Sequence, residues 1–220
     1  VPRYLRKEIP GRIDFLGKEI EKTNLSCLSK IINNFKEHQV KAIAICLIHS
    51  YANPKHEIEV YQEIKKLWPE VEIISSHQLT REWREYERTN TTVLCAYVKP
   101  IAKKYLDNLH TKLKKSKFTK NPYVMQSNGG IDTFDATKST PLTMIESGPT
   151  SGVLGAAELG KLINENNIIA LDIGGTTAKC SLIENGNVKI NTNYWIEKNR
   201  FSAGYPVMIP VVDIVEIGNG

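Results

Sequence analysis

The residues best equipped for chemistry stand together at Asp172-Ile173-Gly174-Gly175-Thr176-Thr177. Gly174 and Gly175 carry no Cβ, so the backbone there can turn sharply and come close to a ligand. Their N–H groups, with those of Thr176 and Thr177, can form a concave nest for phosphate oxygens, and the threonine hydroxyls add donors. Asp172 stands where a carboxylate can hold a hydrated Mg²⁺ or orient an attacking water. The same residues also suit a plain type I′ or II′ hairpin whose glycines serve only to allow positive φ. Residue types alone leave both readings open. Spacing excludes a Walker A loop and a dinucleotide fingerprint, because an apolar run reading as a strand follows where those motifs need a helix.

Two other stretches could meet an anion. Glu146-Ser147-Gly148-Pro149-Thr150-Ser151 reads as a loop feeding a helix over about 151–163. Unpaired N–H groups at such a start attract negative charge, and capping by Thr150 or Ser151 demands the same residue types. Ser127-Asn128-Gly129-Gly130 follows a predicted strand at 122–126. That is a place where α/β sheets gather ligands, and Asn-Gly is equally a standard turn pair. His49 and His56 match no standard zinc spacing, so a capping role is expected. Glu85-Tyr86-Glu87-Arg88 reads as a solvated or inter-domain ion network. Lys179 either pairs a phosphate or faces solvent.

These groups need elements to hold them. Leu25, Leu28, Ile31, Ile32 and Phe35 recur at helical spacing, with Asn24 as the candidate N-cap. Val40 to Ile48 reads as a buried, parallel strand. Asn53-Pro54 opens a helix to Leu67, and Val71 to Ile74 is the next strand. A long helix is predicted over about 90–113, its apolar face including Val93, Leu94, Tyr97, Val98, Ile101, Tyr105 and Leu109, with Pro100 kinking or dividing it. Gly152, Gly155, Ala156 and Gly160 should leave one side of the 151–163 helix slim. Residues 167–171 read as a buried strand, 178–183 as its neighbour, and Glu184-Asn185-Gly186-Asn187 as a hairpin turn. Alternating strands and helices make the chain α/β. A domain boundary is placed near residue 79, giving 1–79 and 80–220.

The chain has 220 residues, 41% of them hydrophobic and 24% charged, with 29 Lys and Arg against 24 Asp and Glu. This is a soluble globular composition. The mild positive excess suits anionic ligands but lacks the basic clustering with interleaved aromatic residues that nucleic acid requires. Cys27, Cys46, Cys95 and Cys180 form no CxxC pair, so a reducing, cytoplasmic setting without a disulfide framework is expected. No apolar run reaches membrane-spanning length. A start at Val1 and an end at Gly218-Asn219-Gly220 give the expectation of a fragment of a longer chain.

Five motifs in one order resemble the hydantoinase A/5-oxoprolinase family. They are the run from His49 to Glu57, that from Arg84 to Val93, Gln126-Ser127-Asn128-Gly129-Gly130, Ser147-Gly148-Pro149, and Asp172 to Thr177. The resemblance implies ribonuclease-H-like α/β domains of the actin/hexokinase/Hsp70 ATPase group. Residues 1–79 would be the tail of the N-terminal domain and 80–220 the start of the hydantoinase A domain. It implies ATP and Mg²⁺, a cyclic amide substrate of the hydantoin or 5-oxoproline type, and a hydantoinase B-type subunit or domain as partner. Asp172 would be the catalytic and metal-binding carboxylate. Gly174, Gly175, Thr176, Thr177, Ser147, Gly148, Asn128 and Gly129 would line the nucleotide. Many family members carry Asp at the position of Lys179. That difference keeps a small-molecule kinase and a nucleotide-binding subunit without turnover in view, and the resemblance itself adds a related ATP-dependent carboxylase subunit.

Overall fold

The computed structural model describes residues 1–175, 177–198 and 200–218. The chain divides into two compact units, Val1–Lys104 with Tyr205–Val207, and Tyr105–Gly204 with Met208–Gly220.

In the first unit, helix α1 (Leu28–Glu37) is followed by strand β1 (Ala42–Ile45), helix α2 (Lys55–Leu67) and strand β2 (Glu72–Ser75). β1 and β2 pair in parallel, with Ala42 opposite Glu72 and Ile45 opposite Ser75. A parallel pair needs a crossover, and α2 supplies it. Leu28, Ile32 and Phe35 lie on one stripe of α1 and pack with Ile43, Ile45, Val60, Ile64 and Ile73 into the core. Asn24 does not cap α1. Its Oδ1 accepts the Ser26 N–H at 3.0 Å, and the helix starts after Cys27. Asn53 does serve the start of α2, accepting the Lys55 N–H at 3.1 Å, while its amide reaches the Gly17 carbonyl at 2.8 Å.

Helix α3 (Glu85–Lys115) is one continuous helix through Pro100, so the proline does not divide it in two. Its start lies five residues before the predicted one. The burial differs too: Thr91, Thr92, Cys95, Ala96 and Leu106 are buried, whereas Tyr97, Ile101 and Tyr105 are exposed. Thr92 can lie inside because its hydroxyl donates to the Arg88 carbonyl at 2.7 Å, so no polar atom is left unpaired.

In the second unit, strands β3 (Tyr123–Met125) and β4 (Ile131–Thr133) form a hairpin. Helix α4 (Ser147–Ile163) leads to strands β5 (Ile168–Ile173), β6 (Thr177–Glu184) and β7 (Asn187–Val188), and β8 (Val215–Gly218) closes the sheet in the order β8-β6-β5. The β6–β7 turn has Asn185 at φ 53° and Gly186 at φ 74°, as a two-residue primed turn requires. Val153 and Ala157 of α4 pack on Ile183 and Val212, with Ile168 and Ala170 beside them. The other face of β5 is not buried as the sequence suggested: Ile169, Leu171 and Ile173 are exposed, as are Leu182, Val215 and Ile217.

The slim side of α4 is real at one position. A Cβ on Gly160 would meet the Ile168 side chain and lie 2.5 Å from the Glu165 carbonyl, while one on Gly155 would meet nothing within 4 Å. Gly160→Ala should therefore destabilise by ~1–3 kcal/mol through overpacking, despite alanine's better helix propensity. Gly155→Ala should stabilise by ~0.5–1 kcal/mol. Urea unfolding of both variants checks the pair, and equal shifts would contradict the packing at Gly160.

Candidate functional site

The β5–β6 hairpin presents the expected carboxylate. Asp172 stands opposite Lys179 in the ladder, and Ile173 opposite Ala178. The Gly174 N–H donates to the Thr177 carbonyl at 2.9 Å, closing the bend. Asp172, Gly174 and Gly175 are exposed and Thr177 is half-buried, whereas Thr176 lies outside the described residues. Neither Gly174 nor Gly175 is among the residues with positive φ. A Cβ on Gly175 would meet nothing within 4 Å, and one on Gly174 only the Thr177 carbonyl at 3.8 Å. Backbone conformation and packing among the described residues therefore leave both glycines without an internal reason.

The Ser147-Gly148-Pro149 stretch is not a loop. It is the first turn of α4, which starts four residues earlier than expected. Proline suits that turn because its missing N–H would have no intrahelical acceptor. A Cβ on Gly148 would also meet nothing within 4 Å. Glu146 precedes the helix at φ 55° and makes no side-chain cap. Its carboxylate instead receives the Lys179 ammonium at 2.6 Å, and Glu216 lies 3.3 Å from the same Nζ. Burial pulls the Lys179 ammonium down, but the Glu146 and Glu216 carboxylates outweigh it and hold the group above the ordinary lysine range. Lys179 thus neither faces solvent nor stands free for a phosphate.

A pocket of about 610 Å³ opens beside these groups, lined in part by Glu146, Tyr194, Trp195, Asp213 and Glu216. Burial, then the Glu146 and Glu216 carboxylates, push the Tyr194 phenol above its usual value.

Asn128 and Gly129 sit in the β3–β4 turn. Asn128 Oδ1 accepts the Gly130 N–H at 2.9 Å and Gly129 takes φ +87°, so the turn itself accounts for both residue types. Ser127 ties this turn to α4: its carbonyl accepts the Thr150 hydroxyl at 3.3 Å and the Val212 N–H at 2.8 Å. The first turn of α4 is thus joined to the β3–β4 turn through Thr150 and to the β5–β6 hairpin through Glu146. Glu146 and Glu216 were missed as site residues. The only signal for Glu146 was its place directly before Ser147, and nothing local marks Glu216.

In the first unit the other two motifs meet as well. Arg88 is fully buried, not solvated, and its guanidinium donates to the Leu47 carbonyl at 2.8 Å and to Ser50, Ser76 and Glu85. Glu57, also fully buried, accepts the Leu47 N–H at 2.9 Å, the Ser76 hydroxyl at 2.6 Å and His77 Nδ1 at 2.7 Å. His56 bonds Glu19 at 2.9 Å, and His49 Nδ1 lies 3.2 Å from the Tyr51 hydroxyl. Hydrogen bonds from Lys55 and then His56 hold the Glu19 carboxyl below its ordinary range. Among the described residues no group of three His, Cys, Asp or Glu could hold a metal ion. Mg²⁺ bound by one carboxylate together with substrate phosphates needs no such group, and the exposed Asp172 fits that mode.

Residues 88–220 match the hydantoinase/oxoprolinase family, and residues 1–68 match the hydantoinase/oxoprolinase N-terminal region. The chain belongs to this family. It is 38% identical to the uncharacterised protein MJ0964 of Methanocaldococcus jannaschii, over 100% of this chain and 33% of that protein. It is 30% identical to the caprolactamase subunit alpha of Pseudomonas jessenii, over 100% of this chain and 31% of the relative. Its fold is that of a chain in the nucleotide-free structure of acetone carboxylase, from work on ATP-dependent acetone carboxylation: TM-score 0.83, 28% identity, 100% of this chain and 30% of that one. The chain thus spans about a third of the length of these relatives. No helix among the described residues is long and apolar enough to cross a membrane.

Proposed function

We propose that this chain is the phosphate-binding part of an ATP-dependent enzyme that opens cyclic amides of the hydantoin or 5-oxoproline type. One observation carries the reading. Gly174, Gly175 and Gly148 are required by neither φ nor packing, yet they flank the two segments joined by Lys179 and Glu146. Gly148 lies in a helix, where glycine costs ~0.5–1 kcal/mol relative to alanine, and the Gly174-Gly175 bend has no positive φ to require glycine, so the three positions make sense where a ligand needs the room. Gly174, Gly175, Thr176 and Thr177 would cradle phosphate, Ser147 and Gly148 would add N–H donors from the helix start, and Asn128 and Gly129 would lie at the margin. Mg²⁺, held by Asp172, would neutralise the transferring phosphoryl group.

Transfer of the γ-phosphoryl to the ring carbonyl oxygen releases ADP and makes the ring carbon electrophilic. Water then adds to that carbon, and the C–N bond breaks to leave an acyl phosphate and a protonated nitrogen, an amine from 5-oxoproline or a ureido group from a hydantoin. A second water releases inorganic phosphate. The residues named here would bind and orient the phosphates throughout, since phosphoryl transfer is mostly positioning and charge neutralisation.

The domains belong, in this reading, to the ribonuclease-H-like ATPase group, with their boundary near residue 79, between the two matched regions. The working enzyme is cytoplasmic and includes a hydantoinase B-type subunit or domain, in keeping with a relative that is itself named as a subunit. The likeness to acetone carboxylase favours one second reading, activation of a ketone for carboxylation. The test is ATP hydrolysis by the intact enzyme, with and without the B-type subunit, across lactams, hydantoins, 5-oxoproline and ketones. Stimulation by a cyclic amide with ring-opened product supports the proposal. Stimulation only by ketone and bicarbonate supports the second reading, and none at all rejects both.

A further inference from the structure

We infer that Lys179 is a positioning residue which clamps the first turn of α4 to the phosphate-binding bend, with Glu146 as the other jaw. The inference rests on the functional reading above for its role in nucleotide binding, but the clamp itself can be tested without nucleotide.

The residue before a helix commonly caps it with a short polar side chain in extended conformation. Glu146 does neither. It adopts φ 55°, ψ 17°, the left-handed region that costs a non-glycine residue ~1–2 kcal/mol, and its side chain makes no cap. What it makes instead is the 2.6 Å bond to Lys179 Nζ, while its carbonyl takes the Thr150 N–H at 3.0 Å. The partners are mostly covered, with side chains 17% and 20% exposed, so the pair is less screened than a surface bridge.

The ladder fixes where the clamp closes. Asp172 lies opposite Lys179 on one side and Glu216 opposite it on the other, so the three strands carry a carboxylate, an ammonium and a carboxylate in one row. Cross-strand partners share a face of the sheet, so the Lys179 bond brings Glu146 over the face that bears Asp172. Glu216 steadies the ammonium at 3.3 Å. With Glu146 included, the row holds three carboxylates and one ammonium. That balance repels a bare triphosphate strongly, and Mg²⁺ on the phosphates lessens the repulsion. Lys179 therefore acts twice: it fixes the Ser147 and Gly148 donors beside the bend, and it keeps two carboxylates from crowding the phosphates.

The experiment uses the intact enzyme with Lys179→Met, Lys179→Arg, Glu146→Gln and the Lys179→Met/Glu146→Gln double variant. First, hydrogen exchange at the Thr150 amide is measured without nucleotide. Lys179→Met and Glu146→Gln should each speed it about 10-fold, the double variant no further, and Lys179→Arg should restore protection. Unchanged exchange, or additive effects, overturns the clamp. If Lys179→Met fails to fold by circular dichroism, Glu146→Gln alone decides this arm. Second, KM and kcat for Mg·ATP are measured. The clamp predicts KM raised about 10-fold with kcat altered less than about 3-fold. A large fall in kcat at unchanged KM overturns positioning in favour of direct contact with the reacting phosphate. Should the unaltered enzyme hydrolyse no ATP, the functional reading fails while the exchange result still settles the clamp.

Discussion

Asp172→Asn in the intact enzyme should lower substrate-stimulated ATP hydrolysis about 100-fold or more and leave stability almost untouched. The substitution keeps the shape and removes one negative charge. If that charge holds the metal that neutralises the transferring phosphoryl group, its loss falls on the transition state, where single electrostatic contacts carry about 100- to 1,000-fold effects. The fold should be indifferent, because Asp172 is exposed and appears in no ion pair among the described residues. Thermal unfolding should shift by no more than ~0.5 kcal/mol equivalent. Turnover within 3-fold of the unaltered enzyme (about 0.7 kcal/mol on the barrier) would remove Asp172 from the chemistry.

Arg88→Met has the opposite signature, a large loss of stability wherever the nucleotide sits. Arg88 reaches Leu47, Ser50, Ser76 and Glu85 from a fully buried position, and Glu57 lies 3.9 Å away, also fully buried. Methionine fills much of the volume but supplies none of the donors. Glu57 would keep His77 and lose its fixed positive neighbour. Breaking a buried pair from one side costs ~3–5 kcal/mol, and chemical denaturation should show a loss in that range. Arg88→Lys should recover little of it, since one ammonium cannot meet acceptors spread along a planar fork. A loss below ~1 kcal/mol would mean the network is decorative.

Legibility followed the range of the forces involved. The end of α2 at Leu67 and the Asn185-Gly186 turn were readable because local chemistry decides them. The start of α4 was not, because Ser147-Gly148-Pro149 reads as loop composition until one sees that a first turn tolerates all three. On α3, spacing alone favoured Tyr97, Ile101 and Tyr105 as inward residues, yet the buried positions include Arg88, Thr91, Thr92 and Cys95. Threonine can be buried when its hydroxyl returns to the preceding turn, and the sequence cannot show which side neighbouring elements will cover. At the candidate site Asp172 and the glycines were visible as a pattern. The partnership of Lys179, Glu146 and Glu216 was not, because it joins residues 33 and 37 positions apart whose meeting depends on the sheet register. The family resemblance rested on five short motifs, and the matched regions 1–68 and 88–220 cover most of them.

The β5–β6 ladder, with Asp172 opposite Lys179, puts function at the mercy of parity. Side chains alternate across a strand, so sliding either strand by one step would carry its charged member to the face that bears Ile169, Leu171 and Ile173. Lengthening the bend by a single residue would thus exchange one face of the sheet for the other without altering any side chain named here. The shortness of that bend is what ties the handedness of the whole charge array to the chain.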